Sequence, residues 1–292
     1  MAKIADLLRT GRTFSFEFFP PKDDAEHDRL VRTLIQLQPL DPSFVSVTYR
    51  GGPSSRQRTH DLVASMLKVT TLNPMAHLIC VGHARLELAE ILVDLRKAGV
   101  DNLMALGGDP PTDPGATAGE LRYANELVEL ARAIGGFSIG VAAHPAGHPK
   151  SPDRGADRDR LGAKLRIADF AVTQFFFDVE EFTTLVDDLG SRGLDKPIIP
   201  GIMPVTSLTS LERMTAMGGV VPAWLRARLE GAADPQSVRA AGIEAATELC
   251  GRLLDAGAPG LHFYTLNSSR ATAEIYANLG IAASASSAGE AS

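Results

Sequence analysis

The chain has 292 residues, 45% of them hydrophobic and 22% charged, and 29 Lys and Arg against 35 Asp and Glu leave a net charge of −6. This composition excludes a disordered chain, and without a basic excess it excludes a general nucleic-acid binder. No apolar run approaches the roughly 20 residues of a membrane-spanning helix, the start carries no signal-peptide core, and Cys80 and Cys250 form no CxxC pattern, so a cytoplasmic protein without membrane contact, disulfide or zinc site is expected.

In chain order, eight short runs rich in β-branched and aromatic residues read as strands: Thr13–Phe18, Ser43–Tyr49, Met75–Val81, Asn102–Leu106, Phe137–Ala143, Phe170–Phe177, Pro197–Met203 and Gly260–Leu266. Helical patterns separate them: Asp24–Leu37, Arg56–Val69, Arg85–Ala98, Ala118–Ile134, Ala156–Ile167, Glu180–Ser191, a long stretch over Leu208–Ala256, and Arg270–Leu279 at the end. Gly99, Gly135 and Gly193 stand where helix C-caps want positive φ. The strand runs are almost wholly apolar, as in a parallel sheet covered on both faces. Eight strand–helix units of roughly 35 residues predict an α/β fold of (β/α)8 TIM-barrel type. The rival, an open doubly wound sheet, lacks its glycine fingerprint after the first strand. One barrel domain over 1–281 and a disordered tail over 282–292 are expected; oligomeric state is not readable.

Barrel chemistry sits at the C-terminal ends of the strands. Those ends carry Glu17, Thr48 with Tyr49, His77, Asp109, His144 with His148, Gln174, Met203, and Tyr264 with Asn267. Glu17 lies between Phe16 and Phe18 and before Pro20-Pro21, so desolvation is expected to raise its pKa and make it a general acid. Asp109 follows Gly107-Gly108 and precedes Pro110-Pro111, a loop that lets backbone approach a ligand and holds the carboxylate rigidly, or else forms an Asx-turn. The histidines lack HxH or HExxH spacing, so no metal is expected. Lys22 and Lys150, in polar loops, do not look like Schiff-base lysines.

Eight blocks in order carry a resemblance: Phe14-Ser-Phe-Glu-Phe-Phe-Pro-Pro, Phe44-Val-Ser-Val-Thr-Tyr, Arg58-Thr-His, Ala76-His-Leu, Ala105-Leu-Gly-Gly-Asp-Pro-Pro, Thr173-Gln-Phe-Phe-Phe-Asp, Pro200-Gly-Ile-Met-Pro and His262-Phe-Tyr-Thr-Leu-Asn. Over about residues 10–280 the chain resembles the 5,10-methylenetetrahydrofolate reductases. The resemblance implies a cytoplasmic (β/α)8 barrel that reduces the folate methylene to a methyl, which supplies methionine synthesis. It implies Glu17 as general acid, Asp109 on the pterin ring, and Gln174 on folate and nicotinamide, with Tyr264 as a further substrate contact. Thr48, His77, Tyr123, Ala124, His148, Asp157 and Lys164 fall where typical members contact FAD.

Four departures from the family pattern lie in segments that normally touch flavin. Arg50 follows Tyr49 where a glycine is usual, Gly107 replaces an arginine, His144 replaces a tyrosine, and Arg166-Ile-Ala-Asp stands one residue short of Asp-Ala-Gly-Ala. Together they imply a remodelled cofactor site, in which NADH gives hydride directly to the folate and Arg50 pairs with the dinucleotide phosphates. FAD is therefore in doubt. The alternatives are an ordinary FAD-dependent reductase working by ping-pong, a flavin-dependent dehydrogenase of the proline type, a barrel lyase or aldolase, and a folate-binding protein without catalysis.

Overall fold

The computed structural model describes residues 1–49, 59, 62–64, 66–67, 70–109, 118–216, 219–268 and 270–281. Eight parallel strands close on themselves in sequence order: β1 (Thr13–Phe18), β2 (Phe44–Val47), β3 (Pro74–Ile79), β4 (Asn102–Leu106), β5 (Ser138–Ala143), β6 (Phe170–Phe175), β7 (Ile198–Ile202) and β8 (Gly260–Tyr264). The expected barrel is the observed one. Closure rests on the β1–β8 pairing, in which Thr13 lies opposite Gly260 and Glu17 opposite Tyr264. Inside, Phe44, Met75, Met104, Phe170, Val172 and Ile199 pack with Ile4 into one apolar cluster. Outside, Phe16, Phe18, Val45, Val47, Leu103 and Val141 join the surrounding helices in the main core. Period-two alternation decides which residues face inward, so Ser15, Glu17, Ser46, His77 and His262 share the interior while their apolar neighbours meet the helices.

Helices Asp24–Leu37 and Arg270–Leu279 match their expected bounds. The first begins at Asp23, whose side chain accepts from Glu26 N at 2.8 Å, an ordinary N-cap. The stretch expected as one long helix is three, Leu208–Ala216, Ala223–Glu230 and Pro235–Asp255. Pro222 starts the second; Asp234, accepting from the Gln236 and Ser237 amides ahead of Pro235, starts the third. The helix expected from Ala118 begins at Ala124. Most of the expected Arg56–Val69 helix and the expected tail at 282–292 lie outside the described residues.

Helix Ile4–Thr10 was not anticipated. Its first amides are satisfied by the barrel rather than by its own sequence: Ile4 N donates to Asn102 Oδ1 at 2.8 Å and Ala5 N to Ser138 Oγ at 3.0 Å. The Asn102 amide also donates to Ala2 O and Asn73 Oδ1. Fully buried Ile4 thereby closes the N-terminal end of the barrel. Asn102→Ala leaves the buried Ile4 N–H and Asn73 oxygen without partners, and chemical denaturation should show a loss of about 1–3 kcal/mol.

Candidate active site

Glu17 stands at the C-terminal end of β1 with 8% of its surface exposed. Its Oε2 accepts from Ser46 Oγ at 3.1 Å and meets His262 Nε2 at 3.3 Å, while His77 Nε2 lies 3.5 Å away. Strands β8, β1, β2 and β3 are consecutive neighbours: Ser46 lies level with Glu17, while His262, opposite Ser15, and His77, two residues beyond the Met75 that faces Ser46, reach Glu17 from the adjacent inward positions. Oε1 has no hydrogen-bond partner among the described residues. Burial pushes the Glu17 carboxyl up, but the hydrogen bond from His262, the charges of His77 and His262 and the hydrogen bond from Ser46 outweigh it and hold it below the usual carboxylate value. The expectation of a raised pKa is therefore corrected: the strand's aromatic neighbours face outward, and the donors that set the balance come from other strands. Burial lowers the His77 pKa, against the opposing pull of Glu17.

Beside this cluster, Thr48 at the end of β2 is buried with its hydroxyl unpartnered. Tyr264 donates from its hydroxyl to Thr173 O at 2.6 Å, tying β8 across to β6. Gln174 is half-buried and its Oε1 accepts from the Phe175 amide at 3.0 Å, next to a register shift between Val172 and Phe175 in the β6–β7 pairing. Gly201 faces the same interior: a Cβ there would stand 2.3 Å from Thr173 O and 2.6 Å from the Tyr264 ring.

A second cluster follows β5. The His144 and His148 rings meet edge to face at 4.6 Å. Burial pushes the His144 pKa down to about 4, helped by the charge of His148. The unfolded chain takes up this proton near 6.5 and the folded one only near 4, so His144 makes stability fall as pH drops through that interval. Its ring proton resonances should stay fixed between pH 8 and 5.5 in an NMR titration, and a midpoint near neutrality would contradict the buried placement.

Asp157, on helix Arg154–Ile167, accepts from His148 N and Ser151 Oγ at Oδ1 and from Arg158 at Oδ2. Lys164, on the same helix, donates to Ala142 O at 2.9 Å, and burial lowers its pKa. Arg158 was missed by the sequence reading. It is fully buried and donates to His144 O, Pro145 O, Asp157 and Asp188, clamping the loop after β5. An arginine on a helix of mixed charge gives no sequence signal of burial.

Asp109 departs from expectation. It is exposed, and its carboxylate pairs with Lys150 Nζ at 2.7 Å, joining the loops after β4 and β5. Its partner is a lysine that the sequence placed only in a polar loop. Tyr123 is 67% exposed at the start of helix Ala124–Ile134, whose first residue, Ala124, is buried. Arg50 lies outside the described residues. The structure thus brings Glu17, His77, Ser46, Tyr264 and His262 into one group and His144, His148, Asp157 and Lys164 into another. His262 and Ser46 were overlooked as site residues, although a histidine within the apolar run Gly260–Leu266 was a visible sign.

This arrangement offers a buried carboxyl with one open oxygen at the barrel mouth. The family model for methylenetetrahydrofolate reductase matches residues 3–280. The chain belongs to this family. It is 36% identical to the 5,10-methylenetetrahydrofolate reductases of Pectobacterium carotovorum, over 91% of this chain and 90% of that one, and of Escherichia coli with the same coverage. A plant relative named methylenetetrahydrofolate reductase (NADH) 1, from Arabidopsis thaliana, is 33% identical over 96% of this chain and 50% of its own length. Among solved structures, a Clostridium thermocellum protein described as binding two copies of 5-methyl-5,6,7,8-tetrahydrofolic acid superposes with a TM-score of 0.69 at 16% identity, over 97% of this chain and 99% of that one, a likeness of fold. Among the described residues no helix is long and apolar enough to cross a membrane, and no group of three metal-ligating side chains occurs.

Asp157 bears on the family's flavin. The resemblance assigned it to FAD, yet both its oxygens are engaged by Arg158, His148 and Ser151. Thr48 Oγ1 and His77 Nε2, which the resemblance places on the same cofactor, are buried without hydrogen-bond partners among the described residues.

Proposed function

We propose that the protein reduces 5,10-methylenetetrahydrofolate to 5-methyltetrahydrofolate with NADH, the hydride passing directly from the nicotinamide to the folate. The observation that carries the reading is Glu17, buried at the mouth of a barrel of this family with Oε1 left open. The methylene bridge accepts hydride poorly until its bond to N10 opens. Glu17 delivers a proton from Oε1 to N10, the bond breaks, and an iminium forms at N5. Hydride from NADH then adds to the exposed CH2, giving the methyl product and NAD+.

The free site favours the carboxylate. A pterin covering the mouth removes more water from Glu17 and strengthens the desolvation that pushes its pKa up, so substrate binding itself favours proton uptake. Gln174 and Tyr264 frame the folate, Asp109 exchanges Lys150 for the pterin N–H donors, and Thr48, with its free buried hydroxyl, and His77 face the hydride donor. Tyr123, Ala124, His144, His148 and Lys164 line the side on which the dinucleotide lies. NADH is supported by the names of the plant relatives, and direct transfer by the departures after β2, β4 and β5 together with the engaged Asp157.

The test is the visible spectrum of the purified protein together with steady-state kinetics, before and after adding FAD. A colourless protein that oxidises NADH with methylenetetrahydrofolate, with intersecting double-reciprocal lines and no response to FAD, is expected. A retained flavin band with parallel lines would overturn direct transfer, and no NADH oxidation would overturn the reaction itself.

A further inference from the structure

His262 is fully buried inside the barrel, stacked on Phe44 at 5.9 Å and edge-on to Tyr264 at 5.3 Å. Its two nitrogens meet different chemistry. Nδ1 lies 2.8 Å from Ser15 Oγ, and Nε2 lies 3.3 Å from Glu17 Oε2 and 3.4 Å from Ser46 Oγ. The hydrogens can be placed by elimination. Ser46 spends its proton on Glu17 Oε2 at 3.1 Å, so toward His262 it is an acceptor. Nε2 therefore faces two acceptors, a carboxylate oxygen and a hydroxyl lone pair, and needs to carry the proton. Nδ1 is then the acceptor, and the Ser15 hydroxyl donates to it at 2.8 Å in preference to the longer contact with Leu261 O at 3.4 Å.

We propose that His262 is a positioning residue for the proton transfer: Ser15 fixes its Nε2–H tautomer, and Nε2–H anchors Glu17 by Oε2 so that Oε1 carries and delivers the proton. This rests on the reaction proposed above. As Oε1 gives its proton to N10, negative charge grows on the carboxylate and the Nε2–H bond strengthens, a donor placed where charge develops. The pair is left as carboxylate and neutral imidazole, and Glu17 takes its next proton from water through the mouth once product leaves. Among the described residues, β3 contributes His77 and β8 Tyr264, whose proton is committed to Thr173 O, while β2 contributes only the Ser46 hydroxyl.

Two measurements test the idea. In 15N NMR of the unliganded protein, the neutral form of His262 should be the Nε2–H tautomer; an Nδ1–H tautomer overturns the proposal whether or not the enzyme turns over. In kinetics, His262→Leu should lower kcat by about 10- to 100-fold with the folate KM within about threefold of wild type. Loss of the donor raises the Glu17 pKa, so the alkaline limb of the kcat–pH profile should move to higher pH. His262→Gln, whose amide can donate to Oε2, should bring both values back toward wild type. A kcat loss with an unmoved limb, or no rescue by glutamine in a folded variant, would reduce His262 to a packing residue and overturn the assignment. Inactivity of the wild-type enzyme would instead strike the proposed reaction, leaving the tautomer to decide this inference.

Discussion

Glu17→Gln should lower kcat by about 10²- to 10⁴-fold, the usual share of a general acid, while binding of the folate, followed by fluorescence or calorimetry, stays within a few-fold of wild type. The amide is nearly isosteric and keeps an oxygen for Ser46 and His262 to donate to, so the fold around β1 is preserved. What it lacks is an acidic proton for N10. Retained activity would remove Glu17 from the chemistry and leave the barrel mouth without a proton donor in its buried cluster. Loss of folate binding along with activity would show instead that the carboxylate holds substrate.

Arg158→Met carries the largest expected cost in stability. The guanidinium is fully buried and supplies donors to two backbone carbonyls and two carboxylates, Asp157 and Asp188. Methionine fills much of the volume and supplies no donor, so Asp157 keeps a buried charge without its nearest cation. Removing one member of a buried pair typically costs about 3–5 kcal/mol, which in a chain of this size is a fall in Tm of roughly 5–8 degrees. Because both carbonyls belong to the loop of His144 and Pro145, NADH should also bind more weakly. An unchanged melting curve would mean that water takes the place of the guanidinium.

The barrel was readable because parallel strands covered on both faces are nearly continuous apolar runs; β1 and β4 fall on their expected residues, and the other strands differ mainly at their ends. Helix Ile4–Thr10 escaped because seven residues carry too little periodicity and its amides are satisfied by Asn102 and Ser138, far away in sequence. The break of the stretch Leu208–Ala256 was written in Pro222 and Asp234-Pro235 and was passed over. At the site, the position of Glu17 was legible and its proton affinity was not, since that is set by residues 29 and 245 positions away. Local glycines suggested rigidity at Asp109, whereas its partner Lys150 lies 41 residues on. Spacing along one segment reveals elements; charge balance belongs to groups assembled from many.

Ile4, packed against the interior cluster with Leu8 beside it, seals the barrel at the end opposite Glu17. In the proposed reaction folate and dinucleotide therefore arrive and leave by the same side. Both ligands then share this one doorway, so a product that lingers blocks the next substrate. Under that reading NAD+ and the methylated folate are expected to inhibit, and product-inhibition kinetics would show it.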